Sequence, residues 1–401
     1  MEIALLTVFW TCVALILYVY FAYPIVLGVL ARIAPSASRV DESFRPSVSL
    51  LISAYNEAAV IREKIENSLR LIYPADLFEI IVISDCSSDS TDAIVAEYVA
   101  WNVRLVRQPE RLGKSSALNL AVPLARGELI VFSDANAIYQ SDVLEKFVRH
   151  FADSRVGYVV GNARYTETGS DSQSSQSEGL YWKLETWMKG KESEFASVVG
   201  GDGAIYAIRR ALYTPLLPTD INDFLNPLQI VDRGYRGLFD SDVVCHEETA
   251  DTFAQEFRRK VRIVSRAFNA VFRVPGVLNP FRNTRHWWLL VSHKILRWLA
   301  PFFLLGTLAA SIALVNTPFY RGAFVAQLAF YLLAALGWTL QRRPSIPKPF
   351  SIAFYFCVVN LASFLGCIKC FSGNLSGTWV PHRAVGHPKV PGEVPDQTLK
   401  S

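Results

Sequence analysis

Glu128-Leu129-Ile130-Val131-Phe132-Ser133-Asp134-Ala135-Asn136 runs a stretch of strong strand character into a carboxylate and, two positions on, a carboxamide. Such a strand delivers two oxygen ligands to the edge of its own sheet. Mg²⁺ and Mn²⁺ prefer oxygen donors and bind through one or two carboxylates plus the phosphates of a substrate, so Asp134 and Asn136 suit a metal-chelated diphosphate. Both residues also favour turn backbone, and the surrounding chain has to decide between the two readings.

Upstream, Val48 to Ala54 is a hydrophobic run closing on Tyr55-Asn56-Glu57. Ile61, Ile65, Leu69 and Ile72 follow at helical spacing until Tyr73-Pro74 stops them. Glu79 to Ser84 is a second strand, ending at Asp85 in a Ser- and Asp-rich cluster that caps a helix over 91–100. Val103 to Val106 is a third strand, and Arg111-Leu112-Gly113-Lys114 opens another helix. Alternating strands and helices predict an α/β domain with a largely parallel sheet and ligands at the carboxyl ends of its strands, which carry Glu57, Asp85 and Asp134. A lysine opposes the dipole of the helix it opens, whereas a phosphate beside Lys114 suits both. Neither a Walker A sequence nor a Gly-x-Gly-x-x-Gly follows a strand, so ATP hydrolysis and dinucleotide redox chemistry lack support.

Beyond residue 160 the pattern changes. Thr166 to Glu178 reads as a mobile polar loop, and Gly179 to Glu194 as an amphipathic helix. Val198 to Tyr206 reads as a strand broken by Gly200, Gly201 and Gly203, with Asp202 among them, where something approaches the backbone closely. Asp223 then sits at the start of a helix reaching Arg233, a position that suits an N-cap as well as a working carboxylate.

The chain of 401 residues is 51% hydrophobic and only 19% charged, which implies a membrane component. No charged residue occurs from Ile3 to Ala31, long enough to span a hydrocarbon core of about 30 Å. It is also about twice the roughly 7–15 residues of a signal-peptide core and has no basic segment before it, so retention is expected. Further apolar stretches cover 298–315, 322–340 and 350–368; the last carries Asn360 and is open between spanning, re-entrant and interfacial placement. Arg32, Arg39, Arg45, Lys294, Arg297, Arg342, Arg343 and Lys348 fall on one side if 41–297 is cytosolic. The expected organisation is a membrane helix at 1–33, a cytosolic domain at 45–265, a basic amphipathic interfacial segment at 266–297, membrane segments over 298–371 and a basic tail at 372–401, in a multi-pass protein of the cell membrane.

Net charge is +4, yet ten Lys or Arg against the single acid Glu256 crowd the interval from Gln255 to Trp298. This belt suits membrane lipids or phosphate; no nucleic-acid recognition module accompanies it, so nucleic acid is not an expected partner. The six cysteines are scattered and predict no disulfide framework.

Ala-Tyr-Asn-Glu-Ala around Glu57, Ser-Asp-Cys-Ser-Ser-Asp around Asp85, Arg-x-Gly-Lys at 111–114, Ser-Asp-Ala-Asn around Asp134, Gly-Ala-Ile-Tyr-Ala-Ile-Arg-Arg at 203–210, Asp223 and Arg297-Trp298 occur in that order. Over about 45–300 the series resembles the membrane-bound family 2 inverting glycosyltransferases, the group of cellulose, chitin and hyaluronan synthases. The resemblance implies a GT-A type nucleotide-binding domain, a nucleotide-sugar donor, with UDP the expected nucleotide, and Mg²⁺ or Mn²⁺. It puts Tyr55 and Glu57 near the nucleoside, Asp85 on the uracil and ribose side, and Lys114 at the diphosphate. Asp134 and Asn136 would hold the metal, and Asp223 would be the general base. Arg297-Trp298 would close over diphosphate and acceptor, with Asp202, Gly203 and Trp298 on the acceptor side. Two departures stand out: Lys294-Ile-Leu-Arg297-Trp298 replaces the family's Gln-x-x-Arg-Trp, and Asn222 replaces the acid before the base.

A diphosphate leaves readily only when its growing charge is neutralised, and a sugar hydroxyl attacks only as a carboxylate takes its proton. One base and no covalent intermediate mean inversion. The leading expectation is growth of a poly- or oligosaccharide, with an oligomer or an export partner supplying further helices. The alternatives are a single addition to a lipid-linked acceptor and, in a different class, a catalytically silent nucleotide-sugar-binding membrane protein.

Overall fold

In the computed structural model, residues 2–166, 173–248, 253–340, 347–373, 375 and 377 are described. Two helices, α1 (Glu2–Leu17) and α2 (Tyr23–Ile33), are joined by a π-helical turn at Tyr18–Ala22 into one apolar rod. Then follow β1 (Val48–Ala54), α3 (Ile61–Leu69), β2 (Phe78–Ser84), α4 (Thr91–Ala96), β3 (Val103–Arg107), α5 (Lys114–Ala121) and β4 (Leu129–Asp134). After them come β5 (Ile138–Tyr139), α6 (Val143–Val148), β6 (Val156–Thr166), α7 (Gln173–Phe195), β7 (Tyr206–Arg209), α8 (Asn222–Asp232) and β8 (Arg236–Glu248). The chain continues through α9 (Phe253–Arg273), α10 (Thr284–Leu289), α11 (Leu296–Ala313), α12 (Pro318–Leu340) and α13 (Lys348–Phe371), with a second π turn, Leu290–Ile295, between α10 and α11.

The sheet order is β3-β2-β1-β4-β7-β6-β8-β5. The β3-β2-β1-β4 half is parallel, whereas β7 runs antiparallel to both β4 and β6. The strands of the parallel half are continuous apolar runs because both faces are covered. Leu50, Ile52 and Val131 face a core with α3 and α6, while Leu51, Ile130 and Phe132 face another with α5 and α8. Each such buried side chain contributes about 1.5–3 kcal/mol.

A third core joins the sheet domain to the apolar helices: Tyr23, Leu27, Phe224, Leu228, Phe268 and Trp298 are among its buried members. Four helical stretches are long and apolar enough to cross a membrane, Glu2–Ile33, Thr284–Ala313, Pro318–Leu340 and Lys348–Phe371. The fourth is thus an uninterrupted helix, and its Asn360 is satisfied by Tyr20 Oη at 3.2 Å and by the Phe356 carbonyl at 2.9 Å. Gly366 lets α13 press on Val264 of α9, where an added Cβ would lie 2.8 Å from that side chain.

Three local expectations change. Residues 173–178 are helical, being the start of α7, and the rest of the expected polar loop, 167–172, lies outside the described residues. Most of the expected strand over 198–206 is loop, and β7 begins only at Tyr206, because Gly200 takes φ +84° and Gly201 N–H bonds the Asp223 carbonyl instead of a neighbouring strand. The amphipathic helix starts at Phe253 and runs across the boundary expected at 265/266, its apolar face being claimed by α13. Residues 378–401 of the expected basic tail lie outside the described residues.

Candidate active site

The parallel strands end in a row. β1 runs into Tyr55-Asn56-Glu57, β2 into Asp85 and β4 into Asp134. Asn56 and Cys86 both adopt positive φ, 52° and 58°, which turns the chain sharply at the strand ends. The polar cluster after Asp85 ties these turns together: Ser88 N–H donates to Asn56 Oδ1 at 2.8 Å, and Ala58 N–H to Asp89 Oδ2 at 3.1 Å. The cluster therefore bridges two loops as well as starting α4. The Arg111 guanidinium lies 4.0 Å above the Tyr55 ring, a cation–π pair at the open edge of the sheet.

Asp85 is buried and accepts from Gln108 Nε2 at 2.6 Å and from the Leu112 and Gly113 N–H groups at 3.0 Å. Burial pushes its carboxyl up, against these bonds. The carboxylate anchors the loop that opens α5, and α5 brings Lys114 to the end of β4, with Nζ 2.5 Å from Asp134 Oδ1 and 3.2 Å from the Gly203 carbonyl.

Asp223 reaches the same spot from the other half of the sheet. Tyr206, at the start of β7, stacks on Phe132 of β4 with centroids 4.6 Å apart. Its hydroxyl accepts from Asn222 Nδ2 at 2.7 Å and Asn226 Nδ2 at 3.1 Å, fixing the first turn of α8. The Gly201 N–H bond to the Asp223 carbonyl, 2.5 Å, adds a second restraint. Asn222 thus holds the helix where the family carries an acid.

A Cβ placed on Gly203 would lie 3.1 Å from Asp223 Oδ2, 3.6 Å from Lys114 Nζ and 3.7 Å from Asp134 Oδ2. Three functional groups from β4, α5 and α8 therefore converge on one point of backbone that carries no side chain. Asp223 Oδ1 is buried with no hydrogen-bond partner among the described residues. Burial raises the Asp223 carboxyl from its ordinary value; Lys114 opposes this, and Asp202 and Asp134 add to it. Asp202 pairs with Lys189 of α7 at 3.5 Å. Gly203→Ala is expected to put a methyl group in this space and lower turnover by about tenfold or more with little change in melting temperature, as measured by initial rates and thermal denaturation on one preparation.

Asp134 and Asn136 offer oxygen donors at the strand end, and Asn136 makes no side-chain hydrogen bond among the described residues. No cluster of three or more His, Cys, Asp or Glu suited to a metal occurs among the described residues. A two-donor site fits Mg²⁺ or Mn²⁺ that completes its shell with phosphate oxygens and water.

The Arg297-Trp298 pair lies against residues of α7, α8 and α9. Arg297 bonds Glu185 of α7 at 3.1 Å, in a buried group where His293 and Lys294 also reach Glu185, at 3.2 and 2.8 Å. Trp298 is buried edge-on against Phe224 and Phe268, with centroids 5.6 and 5.7 Å away. The reason is that both belong to the helical stretch Thr284–Ala313, which turns toward the apolar helices and meets an acid there. Among the described residues, Arg262 of α9 interacts electrostatically with Asp134 and Asp223, and Arg266 with Asp223; burial lowers both guanidinium groups, and these carboxylates oppose it. Glu247, near the end of β8, is a second residue that the sequence reading missed. Burial, with Asp134 and Asp202, pushes its carboxyl up to about 8.

A family model described as glycosyl transferase family 2 matches residues 49–214. The chain is 40% identical over 118 residues to a beta-monoglucosyldiacylglycerol synthase of Trichormus variabilis, covering 28% of this chain and 25% of that one. It is 24% identical over 251 residues to a poly-beta-1,6-N-acetyl-D-glucosamine synthase of Staphylococcus epidermidis, covering 62% and 55%. The chain thus spans from about a quarter to about half the length of these curated relatives. Among solved structures, it is similar to a mannosyltransferase from Pyrobaculum calidifontis in complex with GDP-Man and Mn²⁺, with a TM-score of 0.67, 23% identity, and coverage of 92% of this chain and 98% of that one. Residues 49–214 thus match the glycosyl transferase family 2 model, and the chain has a GT-A type fold.

Proposed function

We propose that this protein transfers a sugar, with inversion, from a nucleotide-diphosphate sugar to a growing oligo- or polysaccharide, with the sheet domain on the cytosolic side of the membrane. The observation that carries the proposal is the convergence of Lys114, Asp134 and Asp223 around Gly203. The two curated relatives, named as synthases of a glucosyldiacylglycerol and of a poly-N-acetylglucosamine, agree with it.

The nucleoside lies along the strand ends, against Tyr55 and Arg111 and beside Glu57 and the loop held by Asp85. The diphosphate faces Lys114 and Arg262, which neutralise its charge as it leaves. Mg²⁺ or Mn²⁺ on Asp134 and Asn136 supplies further neutralisation of the diphosphate when bound. Asp223 takes the proton from the acceptor hydroxyl as its oxygen bonds to the anomeric carbon and the bond to the diphosphate breaks. Asp202 and Gly203 line the acceptor side, with Trp298 behind them through Phe224. Retention of Asp223 with Lys114 and Asp134 weighs against a silent sugar-nucleotide sensor.

This reading separates the two arginines. Arg262→Gln is expected to lower turnover by about 10²-fold, the scale of losing one transition-state electrostatic contact. Arg297→Gln is expected to act mainly on stability through Glu185. Initial rates and thermal melts on the two variants check this, and a larger rate loss in Arg297→Gln would return the diphosphate role to the Arg297-Trp298 pair. A second reading, single addition to a lipid-linked acceptor, is favoured by the contact of Phe224, the residue after Asp223, with Trp298 of an apolar helix. Product size from a labelled donor distinguishes the two, a ladder for the first and one lipid-extractable product for the second.

A further inference from the structure

Away from the strand ends, α2 and α7 enclose an open groove of about 670 Å³. Its apolar part is made by Pro24, Ile25 and Val29 of α2 and Leu184 and Trp187 of α7. Ile25, Val29, Leu184 and Trp187 are exposed among the described residues. Gly28 packs against α7, since an added Cβ would lie 3.2 Å from the Trp187 ring.

The charged lining residues are Arg32 and Lys191. Each lies one turn beyond the Gly28–Trp187 contact on its own helix, in the direction in which the chains meet again through Ser36 N–H and the Glu194 carbonyl at 2.7 Å. Both cations line the groove beside its apolar residues. Lys191 is held by Glu194 at 2.7 Å, while Arg32 is exposed and makes no ion pair among the described residues, which leaves the lining with one uncompensated cation. α2 belongs to a helix long and apolar enough to cross a membrane.

We propose that this groove is a binding site for one anionic phospholipid, with its phosphodiester on Arg32 at the rim and an acyl chain along Ile25, Val29, Leu184 and Trp187. An amphipathic groove with a single net cation matches a ligand with one negative charge and an apolar tail. An uncharged detergent fills the apolar part but leaves Arg32 without a counter-charge, and a zwitterionic lipid brings its phosphodiester together with a cation of its own that opposes the pairing.

The test uses the full-length protein in phosphatidylcholine vesicles containing a minor fraction of brominated phosphatidylglycerol or, in parallel, brominated phosphatidylcholine. Bromine quenches nearby tryptophan, and subtracting the signal of Trp187→Leu isolates Trp187. The expected result is about fivefold stronger association of the glycerol lipid, the scale of one cation at an anionic lipid surface, falling to parity in Arg32→Gln. Equal quenching by the two lipids in the wild type, or a preference that survives Arg32→Gln, would overturn the proposal. Should Trp187→Leu fail to fold, the ratio of the two lipids retained by wild type and by Arg32→Gln, read by native mass spectrometry, decides by the same two outcomes.

Discussion

Asp223→Asn is expected to lower turnover by about 10² to 10⁴ while nucleotide-sugar binding is kept. Asn matches Asp in shape and is nearly as good at a helix start, so α8 retains its first turn and the Tyr206 bonds to Asn222 and Asn226 are untouched. What is lost is the ability to take a proton. The donor groups, Tyr55, Glu57, Asp85, Lys114 and Asp134, come from other elements and remain. Burial raises the Asp223 carboxyl, with Asp202 and Asp134 adding to this and Lys114 opposing. The base works only when deprotonated, so the rate should fall as pH drops through that raised value, and the acidic limb should vanish in Asp223→Asn. Donor binding by calorimetry and turnover across pH on one preparation check both parts. Near-normal turnover would reduce Asp223 to a helix-start residue and direct attention to Asp202 or Glu247.

Asp134→Ala is expected to abolish transfer and the dependence on divalent cation together. Asp134 is the charged oxygen donor at the end of β4, and its loss removes the partner of Lys114 at the same time. Lys114 keeps its bond to the Gly203 carbonyl, so the loop before β7 stays tethered. Asn136→Ala removes only a neutral donor and should weaken transfer, partly restored by raising the metal concentration. Titrating activity against Mg²⁺ and Mn²⁺ for the three proteins tests the ordering. Full activity of Asp134→Ala in excess chelator would contradict the metal reading.

The strand ends were legible because β1, β2 and β4 are buried on both faces and so read as unbroken apolar runs closing on acids. Asp134 and Lys114 stand at changes of element that the chain signals locally, whereas Asp223 is singled out by the family resemblance, since a carboxylate at a helix start also reads as an N-cap. Arg262 and Glu247 carry no such signal. Arg262 is one of ten cations in a basic belt, and helical spacing does not tell which of them turns toward a sheet end rather than a lipid surface. Glu247 acquires its surroundings only when β8 pairs with β6, a contact far along the chain. The Arg297-Trp298 doublet meets partners the sequence did not signal, since the buried acid Glu185 pairs with the arginine. The loop before β7 was misread for a related reason: Val198-Val199 and Ile205-Tyr206 have strand character, and only the meeting of Gly200, Gly201 and Gly203 with α8 and Lys114 keeps that backbone out of the sheet.

The most direct measurement is incorporation from a panel of radiolabelled nucleotide sugars, with the purified full-length protein returned to membranes, with and without divalent cation, and with Asp223→Asn as the paired control. The account predicts metal-dependent transfer from at least one nucleotide sugar into lipid-extractable or polymeric product, abolished in the variant although the variant still binds the donor. Absence of binding and of transfer for every nucleotide sugar in the presence of metal, or transfer undiminished in Asp223→Asn, would contradict it.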